Sequence, residues 1–153
     1  MLESLDLGIR ALRDHLGKRK GAVFSVFDSK SPLPERPVLQ AVVGYIPPAD
    51  LDEKYGYSEE KGRRLLSHPE HMTSRESRDE ALDQWTGAVR GESLICSISG
   101  FPEKVDEALM LAVLVDMQFL SSDDALKIAD TNQEDIYRAM FSPQNLRVRG
   151  ITS

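Results

Sequence analysis

The strongest constraint on this chain is the segment that follows Gly100. Pro102 suits the first turn of a helix, where its missing N–H costs nothing, and Glu103, Asp106 and Glu107 place acidic side chains against the positive end of the helix dipole. Behind them Val105, Ala108, Leu109, Ala112 and Val113 recur at helical spacing, while Leu111, Leu114 and Val115 fill the other faces. The apolar run over 108–115 has eight residues, well short of the about 20 that a membrane-spanning helix needs. A helix over 102–120 that is apolar on most sides must sit at the centre of a fold or be shared between subunits.

Length and charge set the surroundings of that helix. The chain has 153 residues, 41% hydrophobic and 29% charged, with a net charge of −6, which is one domain's worth of sequence and enough to bury a core without staples. The single Cys96 excludes an internal disulfide framework and cannot by itself build a structural zinc site. An acidic balance argues against a general nucleic-acid binder. Glu3, Asp6 and Asp14 interrupt any secretory-signal pattern near the N-terminus, so a cytoplasmic protein is expected. Lys18-Arg19-Lys20 reads as favourable charge near a helix C-terminus.

Periodicity supplies the remaining elements. Leu2, Leu5, Ile9, Leu12 and Leu16 alternate steps of three and four, predicting a helix over 3–18 with Gly8 in its middle. Residues 22–28 and 38–46 read as strands. The loop between them holds Pro32, Pro34 and Pro37 and is too short for a crossover helix, so the pair is antiparallel. Pro47-Pro48 closes the second strand. The polar stretch 49–84 predicts two short helices, one from Ser58 to Ser67 and one over 74–84. A second hairpin over 85–90 and 93–99 turns at Gly91-Glu92 in type II′ geometry and carries Cys96 as a buried structural thiol. Two short C-terminal helices follow, capped by Ser122 and Asn132, with Leu126, Ile128, Ile136, Met140 and Phe141 as apolar contacts. Between 123 and 141, Asp123, Asp124, Asp130, Glu134 and Asp135 face only Lys127 and Arg138, a charge pattern that would repel DNA phosphates. The expected fold is α+β: an antiparallel sheet of at least four strands flanked by helices over 1–120, with a helical extension over 121–153 packed on the same domain.

Two groups of residues have the chemistry of a site. His68 and His71, with Glu70 between them, offer imidazoles and a carboxylate that suit zinc or iron, although their spacing is not that of a helical HExxH pair. Arg63, Arg64 and Arg75, with Arg78, could hold a carboxylate-bearing ligand through bidentate guanidinium contacts. Glu59, Glu60, Glu76, Asp79 and Glu80 stand at helical spacings from these arginines and offer the competing reading of surface ion pairs. No phosphate-cradling glycine loop, dinucleotide fingerprint or Gly-x-Ser-x-Gly elbow occurs, so no catalytic residue is assigned.

The order helix, two strands, polar helices, two strands, long apolar helix, together with the run from Ser97 through Ser99-Gly100-Phe101-Pro102 to Glu107, resembles the small GlcG-like and HbpS-like proteins. The resemblance implies a profilin-like or PAS-like antiparallel sheet, homo-oligomers and, in some members, haem or corrinoid binding. The chain lacks that family's lysine-alanine helix motif and its glycine-rich stretch before the second hairpin, and the tail after Ser121 is additional. Two functions are therefore expected. One is a non-catalytic small-ligand-binding or sensory module using His68, His71, Arg63, Arg64 and Arg75, with a haem-like ligand implied by the resemblance. The alternative is an oligomeric interaction or assembly protein that docks a protein partner. An apolar pocket with a few convergent polar groups would favour the first, a filled sheet with a large apolar outer patch the second. A homo-oligomer is expected because the two apolar helices carry more apolar surface than a small sheet covers.

Overall fold

The computed structural model describes residues 1–140 of the chain. Four strands, β1 (Gly21–Asp28), β2 (Leu39–Gly44), β3 (Ala88–Arg90) and β4 (Leu94–Ser99), form one sheet in the order β2-β1-β4-β3 with every pair antiparallel. The helices are α1 (Leu2–Ala11), α2 (Pro48–Leu66), α3 (Glu103–Asp116), α4 (Ser122–Thr131) and α5 (Asp135–Met140). The α+β class and the antiparallel sheet are as the sequence pattern predicts.

β1 is central and buried on both faces, which explains its nearly unbroken apolar run. Alternation divides its side chains between two layers. Ala22, Phe24 and Val26 join Val89, Cys96 and Ile98 in the main core beneath α1 and α3. Phe27 joins Ala88, Ile95 and Leu65 in a smaller cluster beneath α2. α3 is enclosed within the single chain: Leu109, Met110, Leu111 and Leu114 are fully buried, and α1, α4 and α5 pack around it along with the sheet. Its surplus apolar faces thus need no second subunit. Among the described residues no helix is long and apolar enough to cross a membrane.

Several boundaries differ from expectation, each for a physical reason. α1 stops at Ala11 and a 3-10 turn, Arg13–His15, carries the chain on; Leu12 and Leu16 are still buried, whereas Leu2 is exposed. α2 begins at Pro48, so the proline pair that ends the second strand also opens a helix, and Ser58 lies buried within it rather than capping it. The segment 74–84 forms two 3-10 turns, Ser74–Ser77 and Glu80–Leu82, because a Thr73–Glu76 capping box and the left-handed Asp83 (φ 55°) set short turns instead of a helix. The second hairpin turns at Glu92-Ser93, one residue later than expected: Gly91 N–H donates to Leu94 O, and Ser93 takes the positive φ of 60°. Gly91 is bare for another reason, since a Cβ there would stand 2.7 Å from Phe119 O and 3.0 Å from a Leu114 methyl. In the C-terminal pair, Ser121 caps α4 through Asp124 N–H, and Asn132 closes α4 rather than opening α5. Phe141 lies outside the described residues.

The two borders of the sheet are treated differently. Beside β3, Thr73 bridges Val89 and the Arg90 N–H donates to Met72 O. The Arg90 guanidinium fastens this cover by donating to His71 O at 2.9 Å and to Leu65 O at 2.5 Å. Nothing comparable lies along β2 among the described residues.

Candidate functional site

Of the five residues singled out by their chemistry, the structure brings together His68, His71 and the Arg64 backbone, while the three arginine side chains point to different partners. Arg64 is buried and fully engaged: Nε donates to Glu60 at 2.7 Å, Nη1 to Ser74 O, Ser77 O and Ser77 Oγ at 2.8 Å each, and Nη2 to Trp85 O at 2.5 Å. It clamps α2 to the irregular segment that follows. Arg63 faces outward, paired with Glu59 at 2.6 Å and with Glu35 O at 3.0 Å. Arg75 reaches away from both, to Glu107 at 2.6 Å. His68 and His71 stack with ring centroids 4.7 Å apart, and His68 Nδ1 sits 2.8 Å from Arg64 O. No group of three or more His, Cys, Asp or Glu placed to hold a metal occurs among the described residues.

Beside the Phe27–Leu65 cluster, the layer between α2 and the sheet is polar, and sequence reasoning missed that part. Ser58 Oγ lies 2.9 Å from Ser25 Oγ and 3.3 Å from Ser97 Oγ, and Ser97 Oγ donates to Ser58 O at 2.6 Å. One turn on, Lys61 Nζ donates to Ile98 O at 2.9 Å and to Asp106 Oδ2 at 3.3 Å, while Asp106 Oδ1 accepts from Phe101 N–H. Burial pushes the Asp106 carboxyl up to about 7 against the pull of the ammonium, and burial likewise lowers Lys61 against the pull of the carboxylate. The one polar interruption of β1, Ser25, was the visible trace of this layer.

A second polar knot ties down the C-terminal helices. Glu107 on α3 and Glu134, just before α5, are both fully buried, and Arg75 lies 2.6 Å from the first and 3.9 Å from the second. Asn132 Nδ2 donates to Glu107 Oε1 at 2.5 Å and to Thr73 Oγ1 at 3.2 Å. Burial, reinforced by the Glu107 charge, pushes Glu134 up to about 7.

Surface grooves open to solvent occur among the described residues. One of about 620 Å³ lies between the second hairpin and the start of α4, lined by Met72, Arg90, Val115, Phe119 and Asp124 among others. Another, about 420 Å³, runs past Lys18, Lys20, Tyr45, Asp50 and Lys54. Neither is lined by His68, His71, Arg63, Arg64 or Arg75.

The feature with the clearest capacity for recognition is the outer side of β2. Tyr45 donates its N–H to Lys20 O across the β1–β2 pair. Antiparallel alternation from that bond turns the N–H and C=O of Gln40, Val42 and Gly44 away from β1, toward solvent. Exposed apolar side chains accompany them: Val38 at 56%, Leu39 at 36%, Val42 at 41% and Tyr45 at 62% relative exposure. No charged residue occurs over 37–49, and no proline over 38–46. Natural edge strands are usually blunted by charge, proline or cover, and within β2 none of these is present.

Comparison with protein-family models, with curated proteins and with solved structures finds no match.

Proposed function

We propose that this chain is an assembly module whose β2 edge takes up a strand from a protein partner. The observation that carries the reading is the uncharged, apolar edge of β2, which no described residue covers, set against a β3 edge that the chain itself covers. Strand addition supplies affinity through main-chain hydrogen bonds and specificity through alternate side chains. A ligand-binding module would need an enclosed pocket beneath the helices. Here that space is taken by Ser25, Ser58, Ser97, Lys61 and Asp106 on one face and by the main core on the other. Of the five ligand candidates, the three arginines are held by intramolecular partners and His68 by Arg64 O.

The test is photocrosslinking in cells with a photoreactive residue at Leu39 or Tyr45, and at exposed Leu82 as control. Protein adducts at the two β2 positions, lost when Val42→Pro is added, are expected. Absence of any protein adduct at β2, or adducts equally abundant at Leu82, would overturn the reading. Val42→Pro suits this purpose because the N–H it removes points outward and makes no bond to β1.

A further inference from the structure

We propose that the strand taken up by β2 is β2 of a second copy of this chain, paired antiparallel about a twofold axis through Val42, so that two sheets join into one. This rests on the assembly reading and names the partner.

Symmetry makes the first argument. A twofold axis that pairs two antiparallel edge strands stands perpendicular to the sheet and keeps each face on its own side, so residues pair only with residues of the same face. Centring on Val42 pairs Val42 with its own copy, Gln40 with Gly44, Ala41 with Val43, Leu39 with Tyr45 and Val38 with Ile46. The outward N–H and C=O groups belong to Gln40, Val42 and Gly44. In this register each of them meets a counterpart. Centring on Ala41 instead sets Gln40 against Val42, leaves Tyr45 opposite Pro37, and asks Val38 N–H for a bond it already gives to Val26 O.

Side chains make the second. The exposed apolar residues of this edge are Val38, Leu39, Val42 and Tyr45. In the Val42-centred register every one of them lies opposite an apolar residue of the copy, which is the cross-strand pairing that stabilises sheets. A foreign strand has no reason to carry that match; the chain's own strand carries it by symmetry.

Charge makes the third. Each chain is acidic, with a net charge of −6, yet the uncharged edge lets two copies approach without direct repulsion. At one end of β2, Gln40 Nε2 donates at 3.1 Å to Glu59, itself paired with Arg63; at the other, Lys18, Lys20 and Lys54 line the groove beside Tyr45 together with Asp50. Antiparallel pairing sets the lysine-rich end of one copy against the charge-balanced Glu59–Arg63 end of the other rather than against its like.

Sedimentation equilibrium of the full chain tests this, with Val42→Pro beside it and Leu82→Lys as a surface control. The wild type and the control are expected to sediment at twice the chain mass at about 50 μM, a concentration that populates micromolar dimers. Val42→Pro is expected to sediment at the chain mass while keeping the far-ultraviolet circular dichroism and cooperative melt of the wild type. A wild type that stays monomeric at that concentration would overturn the proposal, as would a folded Val42→Pro that remains dimeric. Should Val42→Pro fail to fold, amide exchange of the wild type decides. Protection at Gln40, Val42 and Gly44 that rises with concentration supports the pairing, and fast, concentration-independent exchange there overturns it. A monomer that still crosslinks through Leu39 or Tyr45 to another protein would leave the assembly reading standing and remove only the second copy.

Discussion

Lys61 Nζ stands 3.3 Å from Asp106 Oδ2 with the two side chains 3% and 2% exposed, so α2 and α3, on opposite faces of the sheet, are joined by an ion pair beside the end of β4. Burying both charges is costly, and the added bonds to Ile98 O and from Phe101 N–H offset part of that cost.

Removing one partner strands the other. Lys61→Met is expected to cost about 3–5 kcal/mol, because Asp106 is then buried without its cation. The double variant Lys61→Met/Asp106→Leu should recover much of the loss. Urea unfolding of the single and double variants measures this, and a double variant no more stable than Lys61→Met would show that the charges are not coupled.

The Glu134 carboxyl gives the fold a pH dependence of definite sign. Its folded pKa of about 7 lies above the ordinary value of 4.5, so the folded chain binds more protons between those values than the unfolded chain. Stability from this group is therefore complete below about 4.5 and declines as pH rises through 7. Glu134→Gln, which keeps the side chain neutral beside Glu107 and Arg75, should flatten that decline by on the order of 2 kcal/mol. Melting temperatures of the two proteins at pH 5 and pH 8 provide the comparison; parallel pH profiles would contradict the assignment.

Gly62, inside α2, is occupied territory. A Cβ at this position would stand 2.6 Å from Phe27 Cδ2, with the rest of the ring edge beside it. Gly62→Ala gains about 1 kcal/mol of helix propensity but forces the ring and helix apart, at about 1–3 kcal/mol for overpacking. Net destabilisation is expected, relieved when Phe27→Leu is added. Denaturation midpoints of the two variants decide, and a Gly62→Ala protein more stable than wild type would refute the contact.

Cys96 is expected to be chemically silent. It is fully buried in β4, and burial pushes its thiol up to about 12, leaving little thiolate at neutral pH. A thiol-reactive chromophore at pH 7.5 should label it only as fast as the protein unfolds, and at once in strong denaturant. Rapid stoichiometric labelling of the native chain would mean that β4 opens locally.

The elements that pack by apolar periodicity were legible in the sequence, and those that pack by other means were not. β1 and α3 announce themselves through runs of Val, Phe, Leu and Ala. α2 does not, because it meets the sheet through Ser58, Lys61 and Gly62, residues that a hydrophobic pattern reads as solvated. Its proline pair reads in the sequence as the end of a strand, although a proline at the first turn is equally a helix start. β2 misleads in the opposite sense. Its composition suggests a buried strand, yet it stands at the border of the sheet. Of the site candidates, the Glu60–Arg64 pair was visible as i, i+4 spacing, whereas the acceptors that hold Arg64 are carbonyls of Ser74, Ser77 and Trp85, supplied by later turns of the chain.

The cover that Met72 and Thr73 provide over β3 would limit how far strand addition through β2 could run. A building block with two adhesive ends adds neighbours indefinitely and ends in fibres, whereas one with a single adhesive end is used up by its first encounter. Because Arg90 bolts that cover in place, strand addition at β2 would make a finite particle, and loosening the bolt would turn the same molecule into a unit for polymerisation.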